Sequence, residues 1–87
     1  MVSKEYTIIA ESGIHARPAT MLVKKATEFD SKVTLKYNDK EVNLKSIMGV
    51  MSLGAGQNAK IEIVADGSDE QEALSGLEET LKSEDLI

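Results

Sequence analysis

The feature that most constrains this chain is the spacing of its apolar residues, which switches repeatedly between the period of a strand and that of a helix. Alternation with a period of two predicts strands over residues 2–9, 32–37, 41–44 and 60–65. Helical spacing predicts a first helix from about residue 16, a short helix ending near Leu53, and a long final helix. The buried stripe of the first helix is predicted at Ala19, Leu22, Val23, Ala26 and Phe29, and that of the last at Ala73, Leu74, Leu77 and Leu81.

This order of elements (βαββαβα) predicts an α+β fold in a single domain spanning residues 1–87. A four-stranded sheet with three helices on one face is the simplest packing of these pieces. The opposite face of the sheet is expected to meet water, because its positions are polar: Glu5, Thr34, Lys36 and Glu62.

Local signals place several helix ends. Pro18 suits the first turn of the first helix, where its missing N–H costs nothing. Ser46 is a predicted N-cap of the short helix, which Gly54 and Gly56 would end. Ser68 and Gln71 match a capping box in front of the last helix.

Composition excludes several classes of function. The chain has no cysteine and one histidine, which rules out disulfides, thiolate nucleophiles and multi-histidine metal sites. A net charge of −5 argues against a nucleic acid partner. Neither a signal peptide nor an apolar run long enough to span a bilayer is present, so the expected location is the cytoplasm, without membrane insertion.

His15 is the candidate for chemistry, because it directly precedes the first helix. The first-turn N–H groups of a helix have no intrahelical partners and attract anions such as a phosphoryl group. Arg17 adds a guanidinium that can hold two phosphate oxygens. The partial positive charge of this helix end disfavours the protonated imidazolium form of His15. The neutral ring is the form that can act as a nucleophile. On position alone, an ordinary surface or capping histidine remains the more common outcome.

Two segments resemble a known family. Residues 13–19 (GIHARPA) are similar to the active-site motif of HPr, the histidine-containing phosphocarriers of the bacterial phosphoenolpyruvate:sugar phosphotransferase system. Residues 42–54 (VNLKSIMGVMSLG) are similar to the family's second signature in its Gram-positive form. Length and element order also agree, so the resemblance covers essentially the whole chain.

The resemblance implies an open-faced β-sandwich with an antiparallel sheet, and a carrier rather than an enzyme. His15 would accept phosphate on Nδ1 from phospho-enzyme I and pass it to enzyme II A domains during sugar uptake. The Arg17 side chain and the backbone N–H groups of Ala16 and Arg17 would contact the phosphoryl group. No cofactor or metal is implied.

The resemblance also assigns regulation and docking. Ser46 would be phosphorylated by the HPr kinase/phosphorylase, which slows transfer and creates a corepressor for the catabolite control protein CcpA. A new charge of about −1.5 to −2 at a helix N-cap would be read by partners as a surface change. Partner docking is expected at position 20 (Thr20) and at Ile47, Met48 and Met51, and methionine adapts to several partners. Burial in the core is the alternative for Ile47, Met48 and Met51.

Three alternatives remain open at this point. The chain could be an enzyme that uses His15 as nucleophile or base, although no second catalytic base is evident. It could be a regulatory module that acts only through Ser46, although such relatives lack the acceptor histidine. It could be a phosphotransfer domain of a larger chain, although a free-standing monomer is simpler.

Overall fold

The computed structural model describes residues 1–87 and contains four strands and three helices in the predicted order. The strands are β1 (Val2–Thr7), β2 (Lys32–Tyr37), β3 (Lys40–Asn43) and β4 (Lys60–Asp66). The helices are α1 (Ala16–Ala26), α2 (Ile47–Ser52) and α3 (Glu70–Ser83). None of the helices is both long and apolar enough to cross a membrane.

The strands form one antiparallel sheet in the order β1-β4-β2-β3. In β4, Ile61 lies opposite Tyr6 of β1, and Ile63 lies opposite Leu35 of β2. Leu35 is in turn paired with Val42 of β3. Because side chains alternate across a strand, this register gathers the large apolar residues on one face.

The three helices cover that apolar face and enclose the core. Both predicted helical stripes are largely buried, with Leu22, Ala26, Leu77 and Leu81 having no exposed surface. Phe29 and Leu74 were also expected to be buried, but each is only half-buried. Phe29 lies beyond the end of α1, in the connection to β2, and packs against the edge of the core.

The opposite face of the sheet carries the predicted polar residues. Glu5, Glu62 and Lys36 occupy neighbouring positions in one row across three strands. Glu5 is exposed, while Thr34, Lys36 and Glu62 are half-exposed because they lie on the two central strands.

Two strand boundaries differ from the prediction for identifiable reasons. β1 ends at Thr7 instead of Ile9, because the Ile9 N–H leaves the sheet and donates to the Leu86 carbonyl at 2.7 Å. β3 spans Lys40–Asn43 and not residues 41–44. The Leu44 N–H still donates to the Val33 carbonyl at 3.0 Å, and the Leu44 side chain is fully buried.

The predicted capping box at Ser68 and Gln71 is wrong, because the N-cap of α3 is Asp69. The Asp69 carboxylate does not cap its own helix. It accepts hydrogen bonds from the Asp30 and Ser31 N–H groups, both at 2.9 Å, and from the buried Ser31 hydroxyl. Asp69 therefore ties the start of α3 to the connection between α1 and β2.

These hydrogen bonds make Asp69 a source of pH-dependent stability. The Ser31 hydroxyl, followed by the Asp30 N–H, lowers the pKa of Asp69 from its ordinary value of 3.8. A carboxyl whose pKa is lower in the folded state stabilises the protein above its ordinary pKa, and that contribution is lost as pH falls through the folded pKa.

We therefore expect Asp69→Asn to lower the melting temperature at pH 7, with the difference from the parent narrowing as the pH falls below about 4. Thermal unfolding followed by circular dichroism between pH 2.5 and 7 measures this. Asp39→Asn, which changes an exposed carboxylate in the β2–β3 turn, is the matched control and should track the parent. A constant difference between Asp69→Asn and the parent at every pH would contradict the assignment.

Candidate functional site

A tightly packed turn at Gly13 fixes how the chain enters α1. The Ile14 N–H donates to the Ala55 carbonyl at 2.9 Å, which joins this turn to the loop after α2. Gly13 has a φ of +63°, a conformation that side chains disfavour. A Cβ at Gly13 would overlap the Ala55 carbonyl oxygen and lie 2.5 Å from the Gly56 Cα. The two loops can approach this closely only because residue 13 is glycine.

His15 is the N-cap of α1, as the sequence predicts, and it is exposed to solvent. Its backbone is extended (φ −95°, ψ −168°), and its carbonyl accepts from the Ala19 N–H at 2.9 Å. The imidazole makes no capping hydrogen bond to the helix. The backbone hydrogen bond fixes where the side chain leaves the helix, and both ring nitrogens are free of hydrogen bonds within the protein.

Two free N–H groups lie in the first turn of α1. The Ala16 and Arg17 N–H groups precede the first intrahelical hydrogen bond and have no backbone acceptor. Pro18, the next residue, has no N–H to offer, so these two amides are the donors of this helix end. The first turn carries no acidic residue, and its partial positive charge is not offset within the helix.

The Arg17 side chain is also exposed, but it is directed towards the end of another helix. Its Nε lies 3.5 Å from Oε1 of Glu84, the C-cap residue of α3. The Arg17 side chain is 82% exposed, whereas that of Glu84 is only 13% exposed. The structure thus places a carboxylate beside the guanidinium that was expected to hold phosphate.

Sequence reasoning did not identify Glu84 as a member of this site. An acidic residue at the C-terminal end of a helix opposes the helix dipole, and α3 has Glu84 at that position. This unfavourable charge at the helix end is the sequence feature by which Glu84 could be identified as a functional candidate. The pairing with Arg17 joins residues from opposite ends of the chain, which only the fold can bring together.

The residues predicted for partner docking are exposed around this end of the molecule. Met48 is 84% exposed, and Ile47 and Met51 are each close to half exposed. Thr20 is exposed on α1, and its hydroxyl donates to the Ala16 carbonyl at 2.9 Å. The short helix α2 buries Val50 and packs against α1, so its remaining apolar residues face water.

Ser46 is the N-cap of α2, as predicted. Its hydroxyl oxygen accepts from the Gly49 N–H at 3.1 Å. The residue is half-exposed, and a Cβ at Gly49 would lie 3.4 Å from the Ser46 hydroxyl. The preceding segment is held by the Lys45 ammonium, which donates to the Phe29 carbonyl at 2.8 Å. Unmodified Ser46 therefore caps α2 in the structure.

His15, Arg17 and Ser46 lie on open surface. None of them lines any of the four cavities of the structure. No group of three or more His, Cys, Asp or Glu side chains is arranged to hold a metal ion. An exposed histidine outside any cavity is accessible to another protein, whereas a small substrate is usually enclosed by a concave pocket.

The importance of the close packing at Gly13 can be tested by adding a side chain at that position. We expect Gly13→Ala to cost about 1–3 kcal/mol in the free energy of unfolding, because it adds a Cβ in a left-handed conformation against the Ala55 carbonyl. Urea unfolding measures this change. Gly56→Ala, whose new Cβ would meet open space, is the control and should unfold close to the parent. Equal costs for the two variants would show that the packing at Gly13 is not what holds this turn.

Comparison with known proteins gives a consistent result. The family profile described as the PTS HPr component phosphorylation site matches residues 2–83. The histidine-containing phosphocarrier protein of Mycoplasma is 38% identical, with a TM-score of 0.98 over 99% of this chain and 98% of that one. The phosphocarrier HPr of Bacillus anthracis is 39% identical, with a TM-score of 0.84 over 91% and 94% of the two chains.

A third solved structure is Crh, the catabolite repression protein of Bacillus subtilis. It is 39% identical and has a TM-score of 0.75 over 100% of this chain and 99% of that one. The profile, the βαββαβα fold and the two phosphocarrier neighbours agree on a family of carriers that hold a phosphoryl group without being enzymes, while Crh is named for a role in catabolite repression. The chain belongs to the HPr family of phosphocarriers of the phosphotransferase system.

Proposed function

We propose that His15 is the phosphoryl acceptor of this carrier. The observation that carries the proposal is the combination of an exposed N-cap imidazole with two unpaired first-turn N–H groups, those of Ala16 and Arg17. A phosphoryl group on the ring would meet the positive end of a helix dipole that no acidic residue of the first turn offsets. His15 is also the only histidine in the chain.

The transfer is a pair of in-line displacements at phosphorus. Nδ1 of the neutral His15 ring attacks the phosphoryl group of phospho-enzyme I, and a new N–P bond forms as the donor's bond to phosphorus breaks. In the second step a nucleophile of an enzyme II A domain attacks the phosphoryl group on His15, and the His15 N–P bond breaks as the new bond to phosphorus forms. The two amides and the Arg17 guanidinium stabilise the negative charge on the phosphoryl oxygens.

The docking surface of the proposal consists of Thr20, Ile47, Met48 and Met51. The exposure of Ile47, Met48 and Met51 supports the proposal, since large apolar side chains on a surface are well suited to a contact site, and Thr20 is exposed on the neighbouring helix. Unbranched methionine side chains can repack against differently shaped partners. This suits a carrier that must dock on a donor and then on an acceptor. The proposal treats residues 1–87 as one such unit, monomeric and cytoplasmic.

Phosphorylation by enzyme I tests the acceptor assignment. With enzyme I and phosphoenolpyruvate, we expect the parent chain to gain one phosphate that is stable in base and labile in acid, and His15→Ala to gain none. Intact-mass spectrometry and phosphorus NMR measure the product. Ser12→Ala, a change in the exposed loop before His15, is the control and should retain labelling. Labelling of His15→Ala at the parent's level would overturn the acceptor site.

A regulatory role for Ser46 is a further part of the proposal. Its half-exposed hydroxyl at a helix N-cap supports modification by the HPr kinase/phosphorylase, and the similarity to Crh is in keeping with control of catabolite repression through CcpA. A phosphate at Ser46 adds negative charge beside Ile47 and Met48. An acidic partner would then be repelled from the docking surface. The presence of His15 favours a carrier that is regulated over a module that only regulates.

Incubation with the kinase and ATP tests this role. We expect an acid-stable phosphate in the parent chain that is absent from Ser46→Ala. The phosphorylated chain should accept phosphate from enzyme I more slowly, by roughly tenfold or more if one repulsive pair costs about 1.4 kcal/mol. Ser52→Ala alters an exposed serine of the same helix and should be labelled normally. An unchanged rate after phosphorylation would contradict the regulatory role.

A further inference from the structure

The C-terminal end of α3 contributes a fixed charge to the site. Glu84, its C-cap residue, lies next to Arg17 with 3.5 Å between Oε1 and Nε. This is the only ion pair of Arg17 and the only ion pair of Glu84. The guanidinium is therefore already engaged by a carboxylate while His15 is unmodified.

Backbone packing fixes the position of Glu84. Asp85 has a φ of +58°, which turns the chain back so that the Leu86 N–H donates to the Leu81 carbonyl at 2.9 Å. The Leu86 side chain is buried, and its carbonyl accepts from the Ile9 N–H at 2.7 Å. Leu86, two residues after Glu84, is thus anchored to the core and to the loop that leads to His15.

The position of the Glu84 carboxylate is not explained by an electrostatic contribution to the stability of the fold. Its carboxylate lies at the negative end of the α3 dipole, which disfavours an acid. An ion pair with an arginine that is 82% exposed contributes little to folding. The same pair has a direct consequence for chemistry, because a phosphoryl group on His15 and the Glu84 carboxylate would compete for one guanidinium.

We propose that Glu84 is a positioning residue that holds Arg17 away from the phosphoryl group. The inference rests on the proposed function of His15. Before transfer, the Glu84 carboxylate keeps the guanidinium beside α3. After transfer, it competes with the phosphoryl oxygens for the same donors. The phosphohistidine is then held less tightly than free Arg17 would hold it, which favours delivery to the next protein.

The test is the equilibrium between the two forms of the protein. Enzyme I, phosphoenolpyruvate and a large fixed excess of pyruvate are mixed with the chain so that both forms are populated, and phosphorus NMR gives their ratio. We expect Glu84→Gln to raise the ratio of phosphorylated to unphosphorylated chain by roughly 1.5- to 5-fold, the range of an exposed ion pair. Thermal unfolding of the variant checks that the fold is retained.

Two further variants isolate the route through Arg17. Glu79→Gln removes the same charge from an exposed position of α3 that has no ion pair, so its ratio should match the parent's. Arg17→Gln removes the shared guanidinium, so adding Glu84→Gln to it should change the ratio no further. A merely structural role of Glu84 would not depend on Arg17 in this way.

These experiments distinguish a failure of the proposed role of Glu84 from a failure of the proposed role of His15. A parent chain that takes phosphate on His15, with Glu84→Gln and Glu79→Gln giving the same ratio, overturns this inference alone. An effect of Glu84→Gln that persists in the Arg17→Gln background also overturns it, since the carboxylate would then act on the phosphate directly. A parent chain that takes no phosphate on His15 overturns the proposed function and this inference together.

Discussion

The close contact between the Gly13 turn and the loop after α2 is the constraint from which the site follows. The Ile14 N–H donates to the Ala55 carbonyl, and there is no space at residue 13 for a side chain. The chain therefore enters α1 at a fixed point and angle. His15 is the N-cap of the helix that begins directly after this turn, and it is exposed to solvent.

The electrostatics of the site are built from few groups, and they oppose one another. The Ala16 and Arg17 amides and the Arg17 guanidinium favour an anion at the end of α1. The Glu84 carboxylate at the end of α3 draws the guanidinium away. Because α1 and α3 pack side by side beneath this end of the molecule, the positive end of one helix and an acid at the end of the other are held together. The balance between the positive charge at the start of α1 and the negative charge of Glu84 therefore depends on how the two helices pack, and not on either helix alone.

The sequence predicted what depends on neighbours along the chain. The start of α1, the Ser46 cap and the buried stripe of α1 from Ala19 to Ala26 follow from local spacing and residue type and are present, whereas Phe29 lies beyond the helix. The sequence did not predict the contacts between segments that lie far apart along the chain. The strand order, the packing of Gly13 against Ala55 and the pairing of Arg17 with Glu84 depend on the whole fold. Where a distant partner competes with a local signal, the local prediction failed, as at the start of α3.

A carrier and a phosphatase place different demands on a histidine, and the open surface around His15 suits the first. An enzyme gains rate by enclosing the reacting group and stabilising its transition state alone. A carrier must instead leave the group accessible to two partners and bind it weakly enough to release it. In the proposed function, the two amides of Ala16 and Arg17 and one arginine shared with Glu84 would be the only contacts of this chain with the phosphoryl group. In the proposed function, each partner protein would complete the enclosure when it docks, so water would be excluded only while transfer takes place. The small size of the chain would then be compatible with its chemistry, because the partner would supply the remaining walls of the active site.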